Sequence, residues 1–140
     1  MKIYEVKSVT DELYNAFIKL IPQLSPEAKI PEKDDLKEIV NAEHTKLFIA
    51  EDEQILGTLT LVLNKIPTGN KAWIEDVVLD EKARGRGVGK ALTQFAIDYA
   101  CQKGYKKIDL TSTPERVVAN KLYQKLGFNK RETNVYRLRL

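Results

Sequence analysis

The chain holds one cysteine, one histidine and one tryptophan in 140 residues. The single Cys101 excludes a disulfide framework or a cysteine-built metal centre within one chain. The single His44 removes most histidine-based metal and triad schemes, and no metal site is expected. No apolar run approaches the roughly 20 residues that span a bilayer. The first residues alternate, as Lys2, Ile3, Tyr4 and Glu5, and lack the basic start and apolar run of a secretory signal. An excess of one charge is missing too: 23 Lys and Arg against 20 Asp and Glu leave +3. That balance suits an anionic ligand and is too weak to argue for nucleic acid. Together these absences describe a cytoplasmic protein of a reducing compartment, with neither a membrane nor a nucleic-acid partner.

What is present is ordinary for a globular chain. Hydrophobic residues make up 43% and charged residues 31%, too apolar for disorder. The length fits one domain, residues 1–140, with one sizeable core. No repeat, low-complexity tract or linker interrupts it.

Ile3, Tyr4 and Val6 predict a first strand. Thr10 followed by Asp11 and Glu12 predicts a helix start, and Leu13, Phe17, Leu20 and Ile21 supply its apolar stripe. Pro22, Ser25 and Pro26 are expected to end that helix, and Pro31 to open a second one striped by Leu36, Ile39 and Val40. Strands are expected at 47–50, 55–63 and 73–79, with an acidic turn at 51–53 and another turn at 67–70. A basic, glycine-rich loop then leads to a helix carrying Val88, Leu92, Phe95, Ala96 and Tyr99 on one face and ending at Lys103-Gly104. A fifth strand at 107–111, a last helix from Pro114 to Gly127, and final strands at Phe128 and at 135–140 complete the order. Hairpins mixed with strand–helix crossovers imply an α/β (α+β) fold. Its sheet is mixed, with about six to seven strands and helices on both faces.

The loop is the most informative stretch. Arg84-Gly85-Arg86-Gly87-Val88-Gly89-Lys90 places three glycines between a strand and a helix. Glycine permits positive φ and close approach of a ligand, so backbone amides can converge beside the positive end of the helix dipole. Arg84, Arg86 and Lys90 surround that point with cations. A phosphate-binding P-loop is excluded, because Arg84 stands where its first glycine belongs and Ala91 replaces its hydroxyl. A dinucleotide fingerprint fails because Lys90 occupies its third glycine. A plain glycine-capped turn would need neither three close glycines nor three mutually repelling cations.

What remains, Arg84-x-x-Gly87-x-Gly89, resembles the acetyl-CoA-binding motif of the GNAT N-acetyltransferase superfamily. Leu122-Tyr123-Gln124-Lys125-Leu126-Gly127-Phe128 is similar to that family's later Leu-Tyr-x-x-x-Gly-Phe signature. The resemblance runs from about Trp73 to Phe128. It implies direct transfer of an acetyl group from acetyl-CoA to a primary amine of a small molecule or peptide, without an acyl-enzyme. It implies that the amides of Arg84, Gly85, Arg86, Gly87, Val88, Gly89 and Lys90 hold the pyrophosphate, and that the edge formed by Val77, Val78 and Leu79 pairs with the pantetheine arm. Tyr123 becomes the proton donor to the leaving thiolate, although Ala119, Leu122, Tyr123 and Leu126 also form an apolar stripe into which a core tyrosine fits.

Glu75 and Asp76 lie in what reads as a central strand, where carboxylates are costly. One of them is expected to take the proton of the arriving amine, and the choice falls narrowly on Glu75, because a bulge in this strand would change which residue faces the acceptor. A salt-bridged carboxylate is the competing reading. The run Ile74-Glu75-Asp76-Val77-Val78 is similar to the glucosamine-6-phosphate N-acetyltransferases of the superfamily, where the two acids contact the sugar. Arg116 departs from the family, many members of which carry asparagine there; Asn120 is assigned a cofactor contact. Cys101 reads as structural and His44 as a helix-end residue. The resemblance places the acceptor between residues 21–31 and 131–136, and the acidic residues of the second helix read as a solvated face. The final hairpin offers an edge, so monomer and homodimer both stay open. The reading from a different class is a non-catalytic acetyl-CoA-binding sensor or regulatory module.

Overall fold

The computed structural model describes residues 1–140. They divide into two compact units, Met1–Leu110 and Thr111–Leu140.

The first unit carries β1 (Lys2–Glu5), α1 (Asp11–Leu24), α2 (Lys33–Asn41), β2 (Thr45–Glu51), β3 (Ile55–Ile66), β4 (Gly69–Leu79), α3 (Val88–Gln102) and β5 (Lys107–Asp109). The sheet order is β1-β2-β3-β4-β5, antiparallel except for the parallel pair β4–β5. Short hairpins join β2 to β3 and β3 to β4, the connection through α1 and α2 brings β1 antiparallel beside β2, and the crossover through α3 explains the parallel pair.

Strand β2 shows how the layers form. Leu47, Phe48, Ile49 and Ala50 are all buried, so both faces of this strand are covered. Leu47 and Ile49 join Phe17, Leu20, Ile21 and Leu36 from α1 and α2 in one cluster. Phe48 points the other way, with its ring centroid 5.0 Å from Phe95 and 5.2 Å from Tyr99 of α3. The period of two along a strand therefore sorts α1 and α2 to one face and α3 to the other.

Helix α1 starts as the sequence predicts. The Leu13 N–H donates to Thr10 Oγ1 at 3.1 Å, with Asp11 and Glu12 in the first turn. It ends later than expected, because the chain runs through Pro22 to Leu24. Proline removes the hydrogen bond to the carbonyl four residues back, that of Ile18, which lies on an exposed residue of the helix. Helix α2 begins two residues after Pro31, where the Glu32 N–H donates to the Asp35 carboxylate at 2.8 Å. That local cap decides the boundary over the proline.

The second unit contains α4 (Val117–Lys125). Pro114 does not open it. The Arg116 N–H donates to Thr113 O at 3.1 Å, a separate turn that delays the helix to Val117. The strands expected at Phe128 and 135–140 are not formed, so the sheet has five strands instead of six to seven. Tyr136, Leu138 and Leu140 are 86%, 83% and 114% exposed. Alternation marks which face of a segment is apolar but supplies no neighbour to pair with.

Candidate functional site

Helix α3 opens without a side-chain cap. Its N-cap is Gly87, at φ 77° and ψ 10°, and its first turn has no acidic residue. The first intrahelical bond runs from the Ala91 N–H to Gly87 O at 3.0 Å. The N–H groups of Val88, Gly89 and Lys90 precede it and have no carbonyl within the helix. Gly85 also has positive φ, at 77°. A Cβ at Gly85 or Gly87 would meet nothing within 4 Å, so glycine is needed there for backbone conformation and not for space. The arrangement is a set of amide donors at the positive end of a four-turn helix, left open for an anion.

Arg84, Arg86 and Lys90 are exposed around it. Arg86 Nη2 lies 3.3 Å from Asp52 Oδ2 in the β2–β3 turn, both side chains half exposed. Such a pair is worth about 0–1 kcal/mol, so a phosphate can displace the carboxylate. The root of the loop is fixed more firmly. Asp80 is buried, accepts from Lys19 Nζ at 2.6 Å and from the Lys82 N–H at 3.1 Å, and donates its own N–H to Leu56 O at 2.8 Å. The Lys19 ammonium, with the Lys82 amide, holds the Asp80 carboxyl below its ordinary range. The Glu81 N–H donates to Gln23 Oε1 at 2.9 Å.

Strand β4 leads into this loop with one edge open. Strand β5 pairs with it only from Lys71 to Trp73. From Ile74 to Leu79 the ladder to β5 has ended, which leaves Val78 and Leu79 paired with β3 alone, while Val77 falls where the β3 register skips. Opposite, the register skips: Thr60 faces Glu75 and Thr58 faces Val78. One residue of β3 therefore spans two of β4, a bulge. Asp76 within it is the one non-glycine residue with positive φ, at 47°. Strict alternation would send Glu75 and Asp76 to opposite faces; with the bulge both are exposed. Asp76 borders a cavity of about 210 Å³ whose other walls include Phe17, Ile21, Leu24, Ala28, Leu36 and Thr60. Glu75 does not border it.

In the second unit, the Leu-Tyr-x-x-x-Gly-Phe run has a local physical explanation. The Phe128 N–H donates to Tyr123 O at 3.0 Å and the Gly127 N–H to Gln124 O at 3.1 Å. Gly127 has φ 103°. This is a Schellman helix end, with its customary apolar contact made by Phe128 against Tyr123, ring centroids 5.9 Å apart. The motif thus fixes the ring of Tyr123. Burial pushes the Tyr123 phenol above its ordinary value, and the Arg116 charge offsets part of that rise. The phenol is therefore protonated at neutral pH, a donor and not a base. Asn120 Nδ2 donates to Thr113 O at 3.0 Å, tying the preceding turn to α4.

The loop, the open edge of β4 and the cavity belong to the first unit; Tyr123 and Asn120 belong to the second. A profile of the Acetyltransferase (GNAT) family matches residues 8–128. The chain belongs to this family. That is the family to which the glycine-rich loop pointed. Glucosamine 6-phosphate N-acetyltransferase 1 of Oryza sativa is 28% identical over 127 residues, which cover 84% of this chain and 75% of the rice protein. Mycothiol acetyltransferase of Renibacterium salmoninarum is 38% identical over 84 residues, 59% of this chain but only 25% of that protein. Among solved structures, glucosamine-6-phosphate N-acetyltransferase of Arabidopsis thaliana superposes with a TM-score of 0.80 at 23% identity, covering 99% of both chains. At that identity the likeness concerns the fold.

Three features escaped the sequence reading. Asp52, Lys19 and Gln23 support the loop from positions 34 to 61 residues away from their partners in the chain, and no local pattern marks them. Thr58 and Thr60 border the cavity but read only as strand residues. The role of Phe128 beside Tyr123 was legible in principle, because Gly followed by an aromatic after a helix is the signature of a Schellman end.

Proposed function

We propose that this chain is an acetyl-CoA-dependent N-acetyltransferase acting on a primary amine. The observation that carries the reading is the uncapped, glycine-built N-terminus of α3, placed at the end of a strand whose outer edge is unpaired. The pyrophosphate takes the amides of residues 84–90 with charge from Arg84, Arg86 and Lys90, and the pantetheine amides take the edge of Val77, Val78 and Leu79.

In the transfer, the acceptor ammonium first gives a proton to a carboxylate of the Glu75–Asp76 pair, directly or through water. The free amine nitrogen then attacks the thioester carbonyl. A C–N bond forms, the C–S bond breaks, and the sulfur leaves as a thiolate that takes a proton from the Tyr123 hydroxyl; the extra proton on the new amide nitrogen leaves to water, and the tyrosinate regains its proton from solvent. The products are the acetamide and free coenzyme A. Asp76 borders the cavity and so is the better placed of the two acids. In this reading both units serve one GNAT domain, as the span of the family match supports.

No helix is long and apolar enough to cross a membrane, and the lone exposed Cys101 suits a reducing cytoplasm. Thiol release from acetyl-CoA in the presence of amines tests the function. Tyr123→Phe should lower kcat by about 10²–10⁴-fold while acetyl-CoA binding stays intact. Wild-type kcat in the variant would remove Tyr123 from the mechanism.

A further inference from the structure

The relatives described above are named for glucosamine 6-phosphate and for mycothiol, but the cavity beside Asp76 has different chemistry. Its volume of about 210 Å³ lies below the ~300–1,000 Å³ of pockets that enclose drug-sized ligands. Its walls are mostly hydrocarbon, and Leu24, Ala28 and Ile39 keep part of their apolar surface open to solvent there. Polar groups are few. The Thr58 hydroxyl is buried and already donates to Phe48 O at 3.0 Å. Lys29 is the one cation bordering the cavity, and no arginine does so. A phosphate is ordinarily met by several charge-assisted donors, often the fork of an arginine. A sugar would leave its ring hydroxyls facing hydrocarbon, at a cost for each unpaired group. The anionic group that does border the cavity, Asp76, sits at a strained φ of 47° inside the β4 bulge. Such strain is concentrated where a side chain must be aimed.

Resting on the transferase reading, we infer that the acceptor is a small primary amine on a compact apolar body, an arylalkylamine or branched alkylamine. Its ammonium group sits at Asp76 and its hydrocarbon against Leu24, Ala28 and Ile39. Sugar phosphates, aminoglycosides and long polyamines are poor acceptors.

The test compares kcat/KM for 2-phenylethylamine and 3-methylbutylamine with that for glucosamine 6-phosphate, kanamycin and spermidine, using the full chain and saturating acetyl-CoA. Binding of acetyl-CoA is measured separately by calorimetry. The apolar amines should lead by at least tenfold. Ala28→Trp, which fills the cavity, should raise KM for 2-phenylethylamine tenfold or more and leave the acetyl-CoA Kd within twofold. A preference for the sugar phosphate, aminoglycoside or polyamine would overturn the acceptor class while leaving transfer established. Acetyl-CoA binding with no transfer to either apolar amine would overturn it as well. Absence of acetyl-CoA binding would instead overturn the transferase reading beneath it.

Discussion

Replacing Gly87 by alanine isolates the conformational demand of the α3 N-terminus. The residue sits at φ 77° and ψ 10°, the left-handed region that costs an L-residue about 1–2 kcal/mol. Steric conflict adds nothing, because the new Cβ meets no atom within 4 Å. Alanine also restricts the unfolded chain, which returns about 0.4–1 kcal/mol. The net loss is about 1 kcal/mol. For a domain of this size that lowers Tm by roughly 3–5 °C. Asparagine tolerates the same region better, so Gly87→Asn should lose less than half as much. Thermal unfolding followed by circular dichroism on the three proteins decides it. Equal stability of Gly87→Ala and the wild type, or an asparagine variant as damaged as the alanine one, would refute the argument that glycine is there for its φ.

Other consequences follow from the same physics. Asp80→Ala removes a buried carboxylate with two partners; because Lys19 is half exposed and can be rehydrated, the loss should be about 1–3 kcal/mol by urea unfolding. The Asp80 carboxyl is held below its ordinary value. Its contribution is therefore complete above the unfolded carboxylate pKa of about 4 and disappears as pH falls through the lower folded value. The variant and the wild type should thus converge in stability in acid, and a stability gap that persists there would contradict the ion-pair explanation. Phe128→Ala removes the ring that fixes Tyr123 and should lower kcat about tenfold with little change in the acetyl-CoA Kd; an effect on Kd alone would show that Phe128 acts elsewhere. Because the Tyr123 phenol lies above its ordinary value of about 10, kcat should show no alkaline loss from this group below about pH 10, and a titration of the acid near pH 8 would exclude it.

Much of the first unit was legible because its signals are local. Thr10 with two following acids is a local helix-start signal, and the short apolar run Leu47 to Ala50 between polar turns reads as a strand, which the structure buries on both faces. The glycine-rich loop was legible for the same reason, since positive φ at two closely spaced positions leaves few residues to choose from. Long-range partners were not. Nothing near Asp80 announces Lys19, and nothing near Arg86 announces Asp52. The bulge at Asp76 is a property of the pairing between β3 and β4, so a reading of β4 alone could foresee only that a bulge would change its facing. Residues 135–140 show the opposite case, a clear strand pattern without a ladder, because pattern reports amphipathicity and pairing requires a neighbour.

The central claim is that the α3 N-terminus holds the pyrophosphate of acetyl-CoA, and a calorimetric titration of acetyl-CoA into wild type and Gly87→Glu, at low and high salt, tests it most directly. The account predicts binding by the wild type that weakens as salt screens Arg84, Arg86 and Lys90, and no measurable binding once a carboxylate occupies the anion site. Wild-type affinity in Gly87→Glu, or no binding by the wild type at all, would contradict it.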